Sequence, residues 1–219
     1  LISLKIDQQQ SKDQILENYL NTIYYGRGAY GIQTASKAYF NKDVSKLTVE
    51  RLADHLSALA DIVLDGALGA CWTQMAGPAA APPRFAIVGY GKLGGKELGY
   101  ASDLDLVFIF DVDPDDPEAD AQETRYTRLG QRLNTWLTST TAAGPLYDTD
   151  LRLRPDGAKG LLVTSLRSFQ KYQRENAWVW EHQALTRARF VAGHADVGAA
   201  FEAEREAIRK RAAEAAAAL

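Results

Sequence analysis

Eight residues separate Gly95 from the apolar run that begins at Leu104, and this spacing constrains the fold more than any other feature of the sequence. Phe85 to Val88 reads as a short apolar strand that ends in glycines. Leu104 to Phe110 reads as a second strand, almost wholly apolar after an acidic start. A parallel crossover needs roughly a dozen residues or more. The two strands are therefore expected to be joined by one short helical turn. That matters because Gly89, Gly91 and Gly94 spell a formal G-x-G-x-x-G after a strand, the mark of a dinucleotide-binding fold. The connection length argues against that fold. No G-x-x-x-x-G-K-[ST] aligns here either. What survives is that backbone N–H groups near Gly94 and Gly95 hold a phosphate at a helix start; the alternative is a plain tight turn.

Around this unit the pattern is helical. Ser11-Lys12-Asp13-Gln14 resembles a capping box, and Ile15, Leu16, Tyr19, Leu20 and Ile23 follow at helical spacing. Ile32 to Phe40 can form another helix. A long helix is expected from Thr48 to Trp72, ended by the Pro/Ala-rich linker Gly77 to Pro83. Asp111 to Glu123 is an acidic loop with seven carboxylates in thirteen residues. Helices are expected over Thr124–Leu137, Ser165–Glu175 and Ala177–Ala192, with a strictly alternating strand over Leu146–Arg154. Asp196 to Leu219 reads as a polar-alanine helix that stops without a cap. Trp72, Trp136, Trp178 and Trp180 are most simply core.

The chemistry points to carboxylates. Residues i and i+2 of a strand share a face, so Asp103 and Asp105 point the same way. Two carboxylates at that spacing repel unless a cation lies between them, and hard oxygen ligands suit Mg²⁺. The alternative is a solvated pair at a strand start. On the third expected strand, Asp148, Asp150, Arg152 and Arg154 occupy one face and Tyr147, Thr149, Leu151 and Leu153 the other. If this strand lies beside the second, Asp150 completes a three-carboxylate site. Arg152 and Arg154 then face phosphate oxygens, which suit the planar guanidinium fork. An exposed charged sheet face is the alternative. His182, Arg187 and Arg189 are read as ordinary hydrogen-bonded or exposed side chains.

Composition excludes other classes. The net charge of −3 gives no whole-chain attraction to nucleic acid. The longest uncharged stretch, Gly66 to Pro83, is too broken by glycine and proline to span a bilayer, so no membrane is expected as partner. The single Cys71 rules out an intramolecular disulfide framework and fits a reducing, cytoplasmic setting.

GYGKLGGKELGYASDLDLVF (89–108), RLNTWLTSTTAAGPLYDTDLRLRPDGAKGLLVTS (132–165) and AWVWEHQALTRARFVAG (177–193) strongly resemble glutamine synthetase adenylyltransferase, in its C-terminal, adenylylating domain. The resemblance runs from about residue 51 onward. It implies an α+β fold with a polymerase-β-like nucleotidyltransferase core. In that superfamily a Gly-Gly or Gly-Ser element precedes the Asp-x-Asp strand. The resemblance therefore implies phosphate contacts from Gly94, Gly95, Ser102 and Lys92, and metal ligation by Asp103, Asp105 and Asp150. It also implies Mg²⁺-dependent transfer of AMP from ATP to a tyrosine of glutamine synthetase, in control of nitrogen assimilation. A nitrogen-signalling PII protein is the implied regulator. A de-adenylylating phosphorylase of the same family shares the acidic motif and remains the alternative.

SKDQILENYLNTIYYGRGAYGIQTASKAYFNKDVSKLTVE (11–50) resembles something else, the lysozyme-like glycosyltransferase domain of class A penicillin-binding proteins. That family's catalytic glutamate lies in an E-D-x-x-F motif that these residues lack. A peptidoglycan glycosyltransferase fragment, inactive by itself, is thus the second alternative. The expected organisation is a helical fragment over 1–50, a helix and linker over 51–83, the nucleotidyltransferase core over 84–195 and a C-terminal helix over 196–219. The two resemblances meet near Glu50/Arg51, so the sequence reads as a chimera.

Overall fold

The computed structural model describes residues 10–25, 27–141 and 144–217. The first nine residues of the expected 1–50 fragment and the last two of the C-terminal helix lie outside the described residues. The chain divides into two units, residues 1–52 and 53–219.

In the first unit, α1 (Lys12–Thr22) starts at the expected capping box. Ser11 Oγ accepts from the Gln14 N–H at 3.2 Å, and Gln14 Oε1 accepts from the Ser11 N–H at 3.0 Å. None of the residues in α1 is buried, and Leu16 and Tyr19 are exposed. A glycine loop leads to α2 (Ile32–Phe40). Gly31 at its start has φ +80°, and a Cβ there would run into the Asn21 carbonyl, so both conformation and space require glycine.

The second unit is built on a five-stranded sheet. Helix α3 (Val49–Ala76) precedes β1 (Phe85–Gly89), the one-turn α4 (Gly91–Gly94) and β2 (Leu104–Phe110). Then come α5 (Ala119–Thr138), the small hairpin β3 (Thr140–Thr141) and β4 (Gly144–Pro145), β5 (Thr149–Asp150) and β6 (Val163–Ser165). Helices α6 (Leu166–Glu175) and α7 (Val179–Leu185), strand β7 (Arg189–Gly193) and α8 (Ala195–Ala217) complete it. The two strands flanking the glycines are antiparallel, with Phe85 opposite Phe110 and Gly89 opposite Leu106. That excludes a crossover between them. β7 lies on the other side of β1, and both β5 and β6 run parallel to β2 along its free edge.

The near-continuous apolar runs follow from burial on both faces. Leu104, Leu106, Phe108 and Phe110 join Leu64, Leu68 and Trp72 of α3 and Leu129, Leu133 and Leu137 of α5 in one cluster. Val107 and Ile109 face the other way, with Phe169 of α6 and Val197, Phe201 and Ile208 of α8. Helix α3 is also long and apolar enough, by length and composition, to cross a membrane, which the reading of Gly66–Pro83 did not foresee. Its inner face is part of this core.

Several expectations need correction. The helix expected over Ala177–Ala192 ends at Leu185, and the chain returns as β7. Pairing with β1 decides this: the exposed edge of a central strand is covered by Phe190 and Ala192 in register with Val88 and Ile87. The acidic stretch is loop only to Glu118, because α5 begins five residues earlier than expected. Trp72 is buried, and its Nε1 donates to the Ala81 carbonyl at 2.8 Å. Trp136, Trp178 and Trp180 are exposed and are not core.

Gly94 is fixed by packing. A Cβ there would overlap the Arg187 and Gly89 carbonyls. Gly94→Ala should therefore cost about 2–3 kcal/mol by overpacking. For a unit of this size that lowers the melting temperature by roughly 4–12 °C, to be read from a thermal melt.

Candidate metal and phosphate site

The site lies where β2 begins. Asp105 falls on the same strand face as Val107 and Ile109, one pleat beyond the covered core, at the N-terminal end of β2. β5 pairs with β2 for only two residues, Leu104 with Thr149 and Asp105 with Asp150. That parallel register sets the two aspartates side by side. The Leu104 N–H donates to the Asp148 carbonyl at 2.9 Å and anchors the pairing. One carboxylate oxygen from each of Asp103, Asp105 and Asp150 lies within 4.8 Å of the others. Asp103 is exposed, and the other two are half-buried.

The electrostatics follow from this crowding. The Asp105 carboxyl is pushed above its ordinary value, first by burial, then by the charges of Asp103 and Asp150; Arg152 and Lys92 oppose the shift. Asp150 is pulled below its ordinary value, chiefly by its hydrogen bond from the Arg152 side chain. Three converging hard oxygens, one of them strained by like charge, fit a small divalent cation. The donor set has no sulfur or imidazole to favour a softer metal.

The expected strand over Leu146–Arg154 is not one strand. After Asp150 the chain turns, because the Asp150 carboxylate accepts the N–H of Arg152 two residues on, at 2.8 Å. The alternation breaks with it: Tyr147 and Leu151 pack on one side of the sheet and Leu153 on the other. Arg152 stays at the cage, bound to Asp150. Arg154 does not face a phosphate site. Its guanidinium donates to the carbonyls of Gly160 at 3.2 Å, Leu151 at 2.5 Å and Ala158 at 3.1 Å, which ties down the loop that follows Asp150.

Gly94 and Gly95 also need correction. They sit at the end of α4, not at a helix start. The Gly94 N–H donates to the Tyr90 carbonyl at 2.8 Å and the Gly95 N–H to the Gly91 carbonyl at 3.0 Å, so both are already used within the turn. Ser102 Oγ accepts from the Gly99 N–H at 3.1 Å and shapes the turn before Asp103. Lys92 is exposed on α4. Its charge reaches Asp105.

Gly91 is the residue that motif reading missed. It has φ +54°, and a Cβ there would overlap the Asp105 carboxylate. Its signal is its place as the middle glycine of Gly89-x-Gly91-x-x-Gly94. Arg189 and Arg187 have structural partners: Arg189 bonds Asp61 at 2.7 Å and the Leu93 carbonyl at 3.2 Å, and Arg187 pairs with Glu97. His182 Nε2 lies 3.0 Å from the Gln173 carbonyl. A groove of about 910 Å³ is lined by Met75, Arg125, Arg128 and Arg132 among others, and none of the three carboxylates lines it.

Comparison with known proteins gives these features a context. A glutamate-ammonia ligase adenylyltransferase family model matches residues 33–204. A transglycosylase model matches residues 1–62, overlapping the first over 33–62. A bifunctional glutamine synthetase adenylyltransferase/adenylyl-removing enzyme of Aromatoleum aromaticum is 66% identical over 156 residues, which is 71% of this chain and 16% of that protein. The proteins of the same name from Chromobacterium violaceum and Neisseria meningitidis serogroup B are 59% and 57% identical over 74% and 71% of the chain. The chain thus spans about a sixth of the length of the curated relatives it matches. Because one family model takes in well over half of these residues, the paired strands and the aspartates they carry included, the chain belongs to the glutamate-ammonia ligase adenylyltransferase family.

Proposed function

We propose that residues 53–219 carry a Mg²⁺-dependent nucleotidyltransferase site that moves AMP from ATP onto a tyrosine of glutamine synthetase. The observation that carries this reading is the approach of the Asp103, Asp105 and Asp150 carboxylates to within 4.8 Å of one another. Nothing else among the described residues joins three such ligand atoms. The transfer makes the bond from the phenolic oxygen to the α-phosphorus and breaks the bond from that phosphorus to the bridging oxygen, releasing pyrophosphate; the phenolic proton leaves to solvent. Bound Mg²⁺ supplies neutralisation of the phosphate charge that builds during this exchange. Asp103, Asp105 and Asp150 would hold it. Lys92 lies within electrostatic reach of Asp105 and adds positive charge beside the phosphates. Arg152 offers the fork that binds phosphate oxygens in pairs.

The test is calorimetric titration of ATP in the presence of Mg²⁺. Asp105→Ala should bind at least about tenfold more weakly than wild type, since one of three ligands is gone. Equal affinity would reject the cation assignment. The relatives' shared name covers both addition and removal of the adenylyl group. Release of ADP from AMP-modified glutamine synthetase, with phosphate supplied, distinguishes the removing direction. PII as regulator and a cytoplasmic location are part of the same proposal; the first rests on the family resemblance and the second on the single cysteine. Residues 1–50 are read as inactive in glycosyl transfer because none of the 219 residues supplies the E-D-x-x-F glutamate. A lipid II polymerisation assay on the chain should give no product.

A further inference from the structure

Asp150 is occupied. The Arg152 backbone N–H donates to its Oδ1 at 2.8 Å. Arg152 Nε donates to Oδ1 at 3.0 Å and to Oδ2 at 2.9 Å, and Nη2 donates to Oδ2 as well. The guanidinium therefore covers both oxygens of the carboxylate. It comes from the solvent side: the Arg152 side chain is 77% exposed and that of Asp150 only 15%. Its influence extends past its partner. Asp103 and Asp105 both favour the charged guanidinium, and Arg152 in turn favours the ionised form of Asp105.

Three carboxylates converge here, and one built-in cation already sits on the oxygens that a divalent ion would need. Arg154, two residues on, is held by three backbone carbonyls and cannot take that place. An arginine fork matches a carboxylate and a phosphate equally well. A guanidinium this exposed is also cheap to part from its partner, because water solvates it on release and the long side chain gains freedom.

We propose that Arg152 is a resident counter-cation of the carboxylate cage, which competes with a bare divalent ion for Asp150 and gives the carboxylate up when a polyphosphate takes its guanidinium. This rests on the reading above, that Asp103, Asp105 and Asp150 hold a cation. In this arrangement Arg152 is a positioning residue that links two ligands through one side chain. Phosphate binding frees Asp150 for the cation, and cation binding frees Arg152 for the phosphate. The linkage is reciprocal, so each ligand raises the affinity for the other by the same factor. The site then discriminates against free cation and favours cation that arrives with a polyphosphate such as a nucleoside triphosphate.

The experiment measures binding of Mn²⁺ alone, without nucleotide, from the electron paramagnetic resonance signal of the free ion. The proteins are wild type, Arg152→Gln, Arg152→Lys and Asp105→Ala. Arg152→Gln should bind Mn²⁺ about tenfold more tightly than wild type, as expected when a fixed opposing charge is removed from beside the site. Arg152→Lys, a point charge without the fork, should fall between them. Asp105→Ala should lose the binding. In a second arm, ATP is titrated calorimetrically in EDTA, where Arg152→Gln should bind more weakly than wild type. A merely structural arginine would not tighten cation binding when removed. If Arg152→Gln and wild type bind Mn²⁺ equally while Asp105→Ala binds none, the counter-cation role is overturned and the cation site stands. If none of the four proteins binds Mn²⁺, both readings fall.

Discussion

Asp105→Asn should reduce adenylyl transfer to glutamine synthetase to background, with the fold intact. Asparagine keeps the size of the side chain and one oxygen but removes the charge that a divalent cation requires. A bound metal is worth several kcal/mol of transition-state stabilisation, and losing about 4 kcal/mol slows a reaction about a thousandfold. The readout is incorporation of label from α-labelled ATP into glutamine synthetase. Turnover by Asp105→Asn at the wild-type rate would end the metal assignment.

The same substitution should leave the protein slightly more stable in EDTA. Folding raises the Asp105 pKa, through burial and the neighbouring carboxylates. An acid whose folded pKa is raised opposes folding while it is ionised, that is, at pH values above its folded pKa. Asparagine removes that penalty at neutral pH. As pH falls through the folded pKa, wild-type Asp105 takes up a proton and loses the same penalty, so the gap between the two proteins should close. Thermal melts at neutral and mildly acidic pH, both in EDTA, give the comparison. A variant that melts well below wild type at neutral pH would mean that Asp105 has a structural role which the charge argument ignores.

What the sequence made legible depended on how local the causes were. The period of two across the start of β2 set Asp103 and Asp105 on one face, and the short connection between β1 and β2 left room for one helical turn but not for a crossover. Those are properties of neighbouring residues. Asp150 could be placed beside them because a single register with β2 sufficed, although β5 keeps that register for only two residues. The alternation beyond Asp150 misled because a side chain overruled it: the Asp150 carboxylate caps the Arg152 N–H and ends the strand. Arg154 was lost for the same reason, since a turned chain offers it carbonyls instead of phosphate. β7 could not be read from its own residues, because Arg189 to Gly193 become a strand through pairing with β1, about a hundred positions away in sequence. The exposed Trp178 and Trp180 likewise follow from where α7 begins, which the local apolar pattern does not encode.

The glycine motif shows the same limit, and it yields the second large effect. Gly89, Gly91 and Gly94 look like one phosphate-binding signature, yet each meets a different obstacle in space. Gly89 faces Val191 and Leu93, Gly94 faces the Arg187 carbonyl, and Gly91 faces the Asp105 carboxylate. Gly91→Ala should therefore act at a distance of one methyl group on the cage itself. The new Cβ must push Asp105 aside or pull α4 away, and the Tyr90 N–H that donates to the Asp105 carbonyl at 2.9 Å couples the two movements. A displacement near 1 Å in a reacting group costs about a hundredfold in rate, and transfer should fall by that order. Mg²⁺-dependent ATP binding should weaken with it. Alanine at φ +54° adds strain of about 1 kcal/mol, worth roughly 2–4 °C in melting temperature. Gly77→Ala separates strain from displacement, because Gly77 also has a positive φ, +91°, but a Cβ there meets open space. The Gly77 variant should share the small loss of stability and keep wild-type ATP binding. Were Gly91→Ala to melt lower yet bind ATP with Mg²⁺ as wild type does, Gly91 would serve the turn alone, and the room it leaves for Asp105 would have no part in holding the cation.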